Sequence, residues 1–390
     1  MKEKLQEHFS IIKASQLFKS LYAGIENYTD APILEKYELV TILKEDFDIH
    51  KEEKGVYLIR SGGSSHKPLV FPVDIEENIT QRQLLANELS RVGIFTPKTV
   101  ALNLFSYMAL YRTSSIFDDL LERCQATTLA ASNSAPHDLV YSAAKLYKPN
   151  MILGTPSKLV LFSKFMQYGD RKLEIKNVLF GGEFLLPSQK KILEETFNTQ
   201  QIYSLYGSAE TGIWAWSNYS KNPLHFHFLK EIIIEIFEPN DDGFGDIVVT
   251  NLLRKRFPLF RYKMGDIGKL EVIEGVETLV LASREDNSFS IHADSYFLKD
   301  FEEALEEIDR FQFQISLNTS IQTEINVLLI KAGTSSSEKE LFVKNITEGI
   351  NKHLKCDPQF TILVVKFVDE TEFYSDPTTS KSPKIKDFRD

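Results

Sequence analysis

Between the apolar runs around Tyr57–Ile59 and Val70–Phe71 stand Ser61, Gly62, Gly63, Ser64, Ser65 and Lys67, in the stretch SGGSSHKP. Glycine accepts positive φ and leaves space beside the backbone, so such a loop can turn several N–H groups onto one anion while the lysine adds positive charge. That is the composition of a phosphate cradle. The Walker spacing G-x-x-x-x-G-K-[ST] cannot be written across it, and a plain Gly/Ser turn ending in a solvated lysine uses the same residues. Other reactive groups invite less. His225 and His227 alternate on one strand face in LHFHF without a third ligand, and strand packing accounts for both. Ser157 and Ser208 lack a G-x-S-x-G elbow, which removes a serine-hydrolase reading. Cys124 and Cys356 make no CxxC pair, a pattern of packed thiols in a reducing compartment rather than of a disulfide framework or thiolate metal site.

The elements that must position the loop follow a regular order. Leu84, Leu85, Leu89 and Val92 recur at helical spacing, and TVALNLF after them is a short buried-type strand. The cycle repeats: DDLLERC into ATTLAAS, LVYSAAKLY into NMILG, KLVLFSKFM into NVLFGG, and SQKKILEETF into QIYSLYG. Such alternation predicts an α/β architecture of helix-flanked parallel sheet. After about Leu224 longer strands separated by EPNDDGFG predict a more antiparallel region. Beyond a charged stretch at Arg284–Asn287, an amphipathic helix with Phe301, Ala304, Leu305 and Ile308 on one face is expected. Strand, strand, helix and strand follow, the helix opened by the capping-box pair Ser335 and Glu338. The expected division is a large domain over 1–283, a hinge at 284–287 and a small mobile α+β domain over 288–390.

The 390 residues, 43% of them apolar, suffice for two unequal cores. A net charge of −10 with few dense basic clusters argues against a nucleic-acid partner. Neither a signal-peptide core nor a window near the ~18 apolar residues of a membrane span is visible, so a soluble, cytoplasmic protein without a membrane partner is expected.

Six motifs in order, SGGSSHKP, GTPS at Gly154–Ser157, GGE at Gly181–Glu183, YGSAETG at Tyr206–Gly212, FRYKMGDIG at Phe260–Gly268 and SREDNSFSIHADSY from Ser283, resemble those of the adenylate-forming enzymes. This is the superfamily of acyl-CoA synthetases, peptide-synthetase adenylation domains and luciferases, and the chain looks closest to its phenylacetate–CoA ligase branch. The resemblance runs from about Pro32 to the end. It implies that ATP and a carboxylic acid give acyl-AMP and pyrophosphate, with positioning and charge neutralisation as the protein's main task. By resemblance, the Ser61–Lys67 loop holds the β- and γ-phosphates. Tyr206, with Gly207 and Ser208, lies along the adenine. Glu210 holds Mg²⁺, a hard cation suited to a carboxylate. Asp266 accepts the ribose hydroxyls, Arg284 adds a cation near the nucleotide, and Asp286 is the hinge. Gly182 and Glu183, like GTPS, line the acyl and nucleotide walls, though plain strand-end turns would look the same. Lys384 in the tail TSKSPKIKDFRD is the lysine that reaches the acyl carboxylate and α-phosphate, with Lys386 as competitor.

Three positions depart from the family pattern: His66 for glycine, Ala209 for Ser or Thr, and Pro383 for glycine. They keep a second reading open, a catalytically weakened member that binds nucleotide or acyl ligand as a regulatory or scaffolding protein. Trp214 and Trp216, with Phe184, either border an acyl pocket or pack in the core. The branch resemblance and 12% aromatic content lean toward a small aromatic acid. The acceptor is CoA or a carrier-protein thiol. Where CoA-using relatives have a glycine that lets the pantetheine arm pass, this chain has His292 and Ala293, and the hindrance at Ala293 points away from CoA.

Overall fold

The computed structural model describes residues 2–60, 70–107, 110–132, 134–183, 185, 187–282, 288–291, 294–318, 322–331, 333–354, 360–374 and 384–389. The expectations placed on Ser61–Lys67, Phe184, Arg284, Asp286, His292, Ala293, Cys356 and Pro383 lie outside these residues.

Two helices, α1 (Lys2–Ala14) and α2 (Lys36–Asp46), precede a hairpin of β1 (Val56–Arg60) and β2 (Val70–Asp74). Then come α3 (Ile75–Arg91), β3 (Val100–Asn103), α4 (Thr113–Arg123), β4 (Thr127–Ala130), α5 (His137–Tyr147), β5 (Met151–Gly154), α6 (Pro156–Tyr168), β6 (Asn177–Gly181), α7 (Pro187–Phe197) and β7 (Gln201–Ser208). Each predicted helix–strand step is present. Antiparallel strands follow: β8 (Gly212–Asn218), β9 (His225–Phe228), β10 (Ile232–Phe237), β11 (Gly245–Asn251), β12 (Tyr262–Ile273) and β13 (Val276–Leu281).

Strands β3 to β13 join in one eleven-stranded sheet of order β10-β11-β12-β13-β9-β8-β7-β6-β5-β3-β4. Pairing is parallel from β4 through β7 and antiparallel from β7 through β10. The β7–β8 turn, which carries YGSAETG, therefore stands at the seam between the two halves. Strands buried on both faces read as unbroken apolar runs, and β5 is buried at all four positions. Helix α3 starts where the Asp74 carboxylate accepts the N–H groups of Glu76 and Glu77 at 2.9 and 3.0 Å. It then turns Leu85 and Leu89 into the core on one face of the sheet, while α5, α6 and α7 are packed in a separate core on the other. A third core joins α1, α2 and the β1–β2 hairpin to Phe257–Tyr262.

The remaining residues hold a fourth core. Hairpin β14 (Ser288–Ile291) and β15 (Asp294–Phe297) leads to a single helical turn, α8 (Glu302–Leu305), preceded by a 3₁₀ turn at Leu298–Phe301. The helix expected through Ile308 is thus cut short. Phe301, Leu305 and Ile308 are buried as the pattern required, but β16 (Arg310–Leu317) begins two residues after Ile308 and leaves no length for further turns. β17 (Thr323–Ile330), α9 (Ser336–His353) and β18 (Thr361–Phe367) complete the predicted order, α9 opening on the reciprocal Ser335–Glu338 box. A last strand, β19 (Ile385–Asp387), pairs in parallel with β16 and gives a sheet of order β18-β17-β16-β19. No helix among the described residues is long and apolar enough to cross a membrane.

His8 of α1 is buried beside Phe260, its Nε2 without a hydrogen-bond partner. Burial first, and then the charge of Lys255, lower its pKa from 6.5 to about 4. Between those values the unfolded chain binds the extra proton, so the stability held above pH 6.5 is lost as pH falls toward 4, by about 2 kcal/mol at pH 5. In urea unfolding, His8→Leu is expected to reduce the stability lost between pH 7 and pH 5 by about that amount; unchanged pH dependence would contradict this assignment.

Candidate active site

Two motifs that the sequence keeps sixty residues apart meet at the seam. The Tyr206 hydroxyl donates to Asp266 Oδ2 at 2.7 Å. The Tyr206 ring is held by Trp214, edge-on at 5.1 Å, and by Phe226 at 5.6 Å. Burial, reinforced by the Asp266 charge, keeps this phenol protonated far above its usual range and therefore a donor. Tyr262 on β12 is buried near Glu210 in the β7–β8 turn, and its pKa is raised by burial and then by the Glu210 charge. The β7–β8 arm and β12 therefore contribute one tyrosine and one carboxylate each.

Local backbone places these groups. β12 keeps register with β11 at Asp246↔Ile267 and resumes it at Val248↔Lys263, so Met264, Gly265 and Asp266 bulge opposite one residue. Gly265 has φ +85°, and a Cβ there would meet nothing within 4 Å; conformation, not space, requires glycine. Gly207 is the reverse case. A Cβ there would lie 2.1 Å from Gly212 O and 2.8 Å from Ile213 Cα, because the two arms of the turn close against each other. Across the turn Ser208 Oγ and Thr211 Oγ1 are 3.0 Å apart, each accepts the other's backbone N–H, and Trp214 Nε1 donates to Thr211 Oγ1 at 3.0 Å. The Ser208 and Thr211 hydroxyls, which flank Ala209 and Glu210, are thus engaged in closing the turn.

Glu210 is 3% exposed and its Oε1 has no hydrogen-bond partner. A buried carboxylate oxygen left without a donor is costly unless something else meets it. A hard divalent cation fits that oxygen, and Glu210 is the residue that would hold it. Among the described residues no group of three or more His, Cys, Asp or Glu could hold an ion.

The other predicted residues fall as follows. A Cβ on Gly182, at φ +80°, would lie 3.8 Å from Thr155 Cγ2, so the GGE and GTPS loops adjoin at the ends of β6 and β5. Lys158, just after GTPS, sets its Nζ 4.4 Å from the Phe360 ring and so touches the four-stranded part of the molecule. Lys384 is exposed on that part, its Nζ 5.3 Å from the Phe311 ring, while Lys386 lies over Tyr374 at 4.8 Å. These lysine contacts stay within the small sheet and its tail. Trp214 and Trp216 are core residues. His225 and His227 are half-buried and exposed respectively on β9, His227 resting against Trp216. Cys124 is packed, its thiol pushed up to about 11 by burial.

Sequence reasoning missed Tyr262, although it stands inside FRYKMGDIG. It also missed Gln81 and Asn251, buried amides against the β7–β8 turn. The available signal was Gln81 itself, a polar residue four positions before Leu85 on the buried face of α3.

No protein-family model matches the chain. Indoleacetate–lysine synthetase of Pseudomonas savastanoi is 27% identical over 246 residues, which cover 62% of this chain and 60% of the synthetase. The match thus spans about three-fifths of that relative's length. The fold matches 2-hydroxyisobutyryl-CoA ligase, solved with 2-HIB-AMP and CoA, at a TM-score of 0.69 and 17% identity over 99% of this chain and 88% of that one. Amide bond synthetase McbA from Marinactinospora thermotolerans matches with a TM-score of 0.51 and 13% identity over 90% and 78% of the two chains. The fold is that of the adenylate-forming ligases. The chain resembles acid ligases of that superfamily, a likeness shared by a curated synthetase and by solved structures.

The geometry at the turn makes a direct stability prediction. Gly207→Ala meets backbone that cannot give and is expected to cost more than about 2 kcal/mol, whereas Gly265→Ala, strained but unobstructed, is expected to cost about 1–2 kcal/mol. Chemical unfolding of the two variants tests the order; equal losses would overturn the account of Gly207.

Proposed function

We propose that the protein activates a small aromatic carboxylic acid with ATP and passes the acyl group to an acceptor other than CoA. The observation that carries the reading is the meeting of Tyr206, Asp266, Tyr262 and Glu210 in one place, with a Glu210 oxygen buried and unpartnered. In the first step a carboxylate oxygen of the acid bonds to the α-phosphorus and the bond to pyrophosphate breaks. In the second an acceptor nucleophile bonds to the acyl carbon, AMP leaves, and the nucleophile gives up its proton.

The roles assigned by resemblance remain the proposal: Ser61–Ser65 and Lys67 for the β- and γ-phosphates, Tyr206 for adenine, Asp266 for the ribose, and Arg284 near the nucleotide. Lys384 would act on oxygens whose charge grows in the transition state. Mg²⁺ on Glu210 would supply charge neutralisation for the phosphates. Residues 1–283 and 288–390 would turn about 284–287, with Asp286 as hinge. The likeness to indoleacetate–lysine synthetase supports an aryl acid and admits an amine acceptor beside a carrier thiol. Fold alone carries neither identity.

Acid-dependent ATP–pyrophosphate exchange across aryl, fatty and amino acids tests the first step, and Glu210→Gln is expected to reduce it by about 10²-fold or more. Exchange with none of the acids, alongside ATP binding, would favour the regulatory reading left open by His66, Ala209 and Pro383. Lys384→Ala is expected to abolish exchange while leaving transfer from supplied acyl-AMP within about threefold, since adenylation and transfer use different orientations of the small part. Equal loss of both steps would count against that alternation. Rapid acyl-CoA formation would overturn the acceptor assignment.

A further inference from the structure

Behind the β7–β8 turn lies a polar network that the proposed chemistry does not use. Gln81 of α3 is 2% exposed and Asn251, ending β11, is fully buried. Gln81 Nε2 donates to Thr211 O at 2.9 Å and to Ile213 O at 3.1 Å. Asn251 Nδ2 donates to the same Thr211 O at 2.9 Å and to Gln81 Oε1 at 3.2 Å. A Cβ on Gly212 would stand 2.7 Å from Gln81 Nε2, so the turn is pressed against this amide. Two buried amides, from a helix and from a distant strand, thus converge on the carbonyl of the residue that follows Glu210.

Apolar side chains could fill this volume without the burial penalty of two amides; satisfied amides add direction. They fix the plane of the Thr211 peptide, and with it the path of the backbone from which the Glu210 carboxylate projects. We infer that Gln81 and Asn251 are positioning residues that aim the free Glu210 oxygen at a divalent cation. This rests on Glu210 as the cation ligand in the proposed function. Groups that orient a ligand without touching the metal commonly govern affinity by 10- to 100-fold.

The test is Mn²⁺ titration of the intact protein with ATP, read by electron paramagnetic resonance, for the wild type, Gln81→Met, Asn251→Leu and Glu210→Gln. Both amide variants are expected to raise half-saturating Mn²⁺ about tenfold or more, while ATP affinity in EDTA stays within about threefold. Where acid-dependent exchange is measured, half-saturating Mg²⁺ should rise in parallel and the rate at saturating Mg²⁺ should recover. A folded Gln81→Met protein that binds Mn²⁺ as the wild type does, beside a weakened Glu210→Gln, overturns the positioning role and leaves the ligand reading intact. Wild-type binding by Glu210→Gln overturns the ligand reading and this inference with it. If Gln81→Met fails to fold, Gln81→Asn and Asn251→Ser, which keep polarity and shorten reach, carry the same comparison.

Discussion

One hydrogen bond, from the Tyr206 hydroxyl on β7 to Asp266 on β12, ties the two halves of the candidate site together. Tyr262 on β12 is buried near Glu210 and feels its charge, so each arm sets a phenol toward the carboxylate of the other. In a buried setting a made hydrogen bond is stronger than in water, and an unmade partner is correspondingly expensive. Both phenols are held protonated far above their usual range, so Tyr206 remains a donor to Asp266.

The surrounding structure serves to bring those strands into range. Parallel pairing through β7 and antiparallel pairing beyond it place a tight hairpin at the junction, where Gly207 and Gly212 let its arms close. The bulge at Met264–Asp266 displaces the carboxylate from the regular β12 ladder. Behind both, α3 is pinned at its start by Asp74 and presents Gln81 to the turn. Asp74 also pairs with Arg256 at 2.9 Å, tying the start of the same helix to the segment between β11 and β12. Local helix chemistry and site geometry are thus one continuous construction.

Much of this was legible in sequence, for identifiable reasons. Helices α3 to α7 and their strands announce themselves because buried parallel strands are apolar on both faces and the covering helices repeat at 3.6 residues. The turn motifs stand out because glycine is demanded by close approach at Gly207 and by backbone conformation at Gly265. Contacts that depend on distant pairing were not legible. Nothing near Tyr262 signals a partner fifty-two residues earlier, and Asn251 at the end of an apolar strand reads as its terminus rather than as a clamp. Ile308 fits a helical face, yet only the position of β16 decides that the helix ends before it. The lysine-rich tail reads as solvated, but Ile385 supplies the one apolar residue that lets β19 dock on Phe313, and composition does not weigh that contact.

That docking constrains how Lys384 can act. Its carbonyl accepts the Phe313 N–H at 2.8 Å, its Nζ rests near Phe311, and Ile385 is buried in the small core. The lysine is therefore not a loose tail that samples positions by itself. Releasing it would break the β16–β19 pairing and expose Ile385, whereas turning the whole four-stranded part preserves every one of those contacts. For Lys384 to meet a charge developing on phosphate oxygens, rigid-body motion is the less costly route, and the contact between Lys158 and Phe360 is one that such a motion would have to remake. Because Lys158 directly follows the Gly154–Ser157 loop, the proposed turn of the small part would act on that loop through the Phe360 contact.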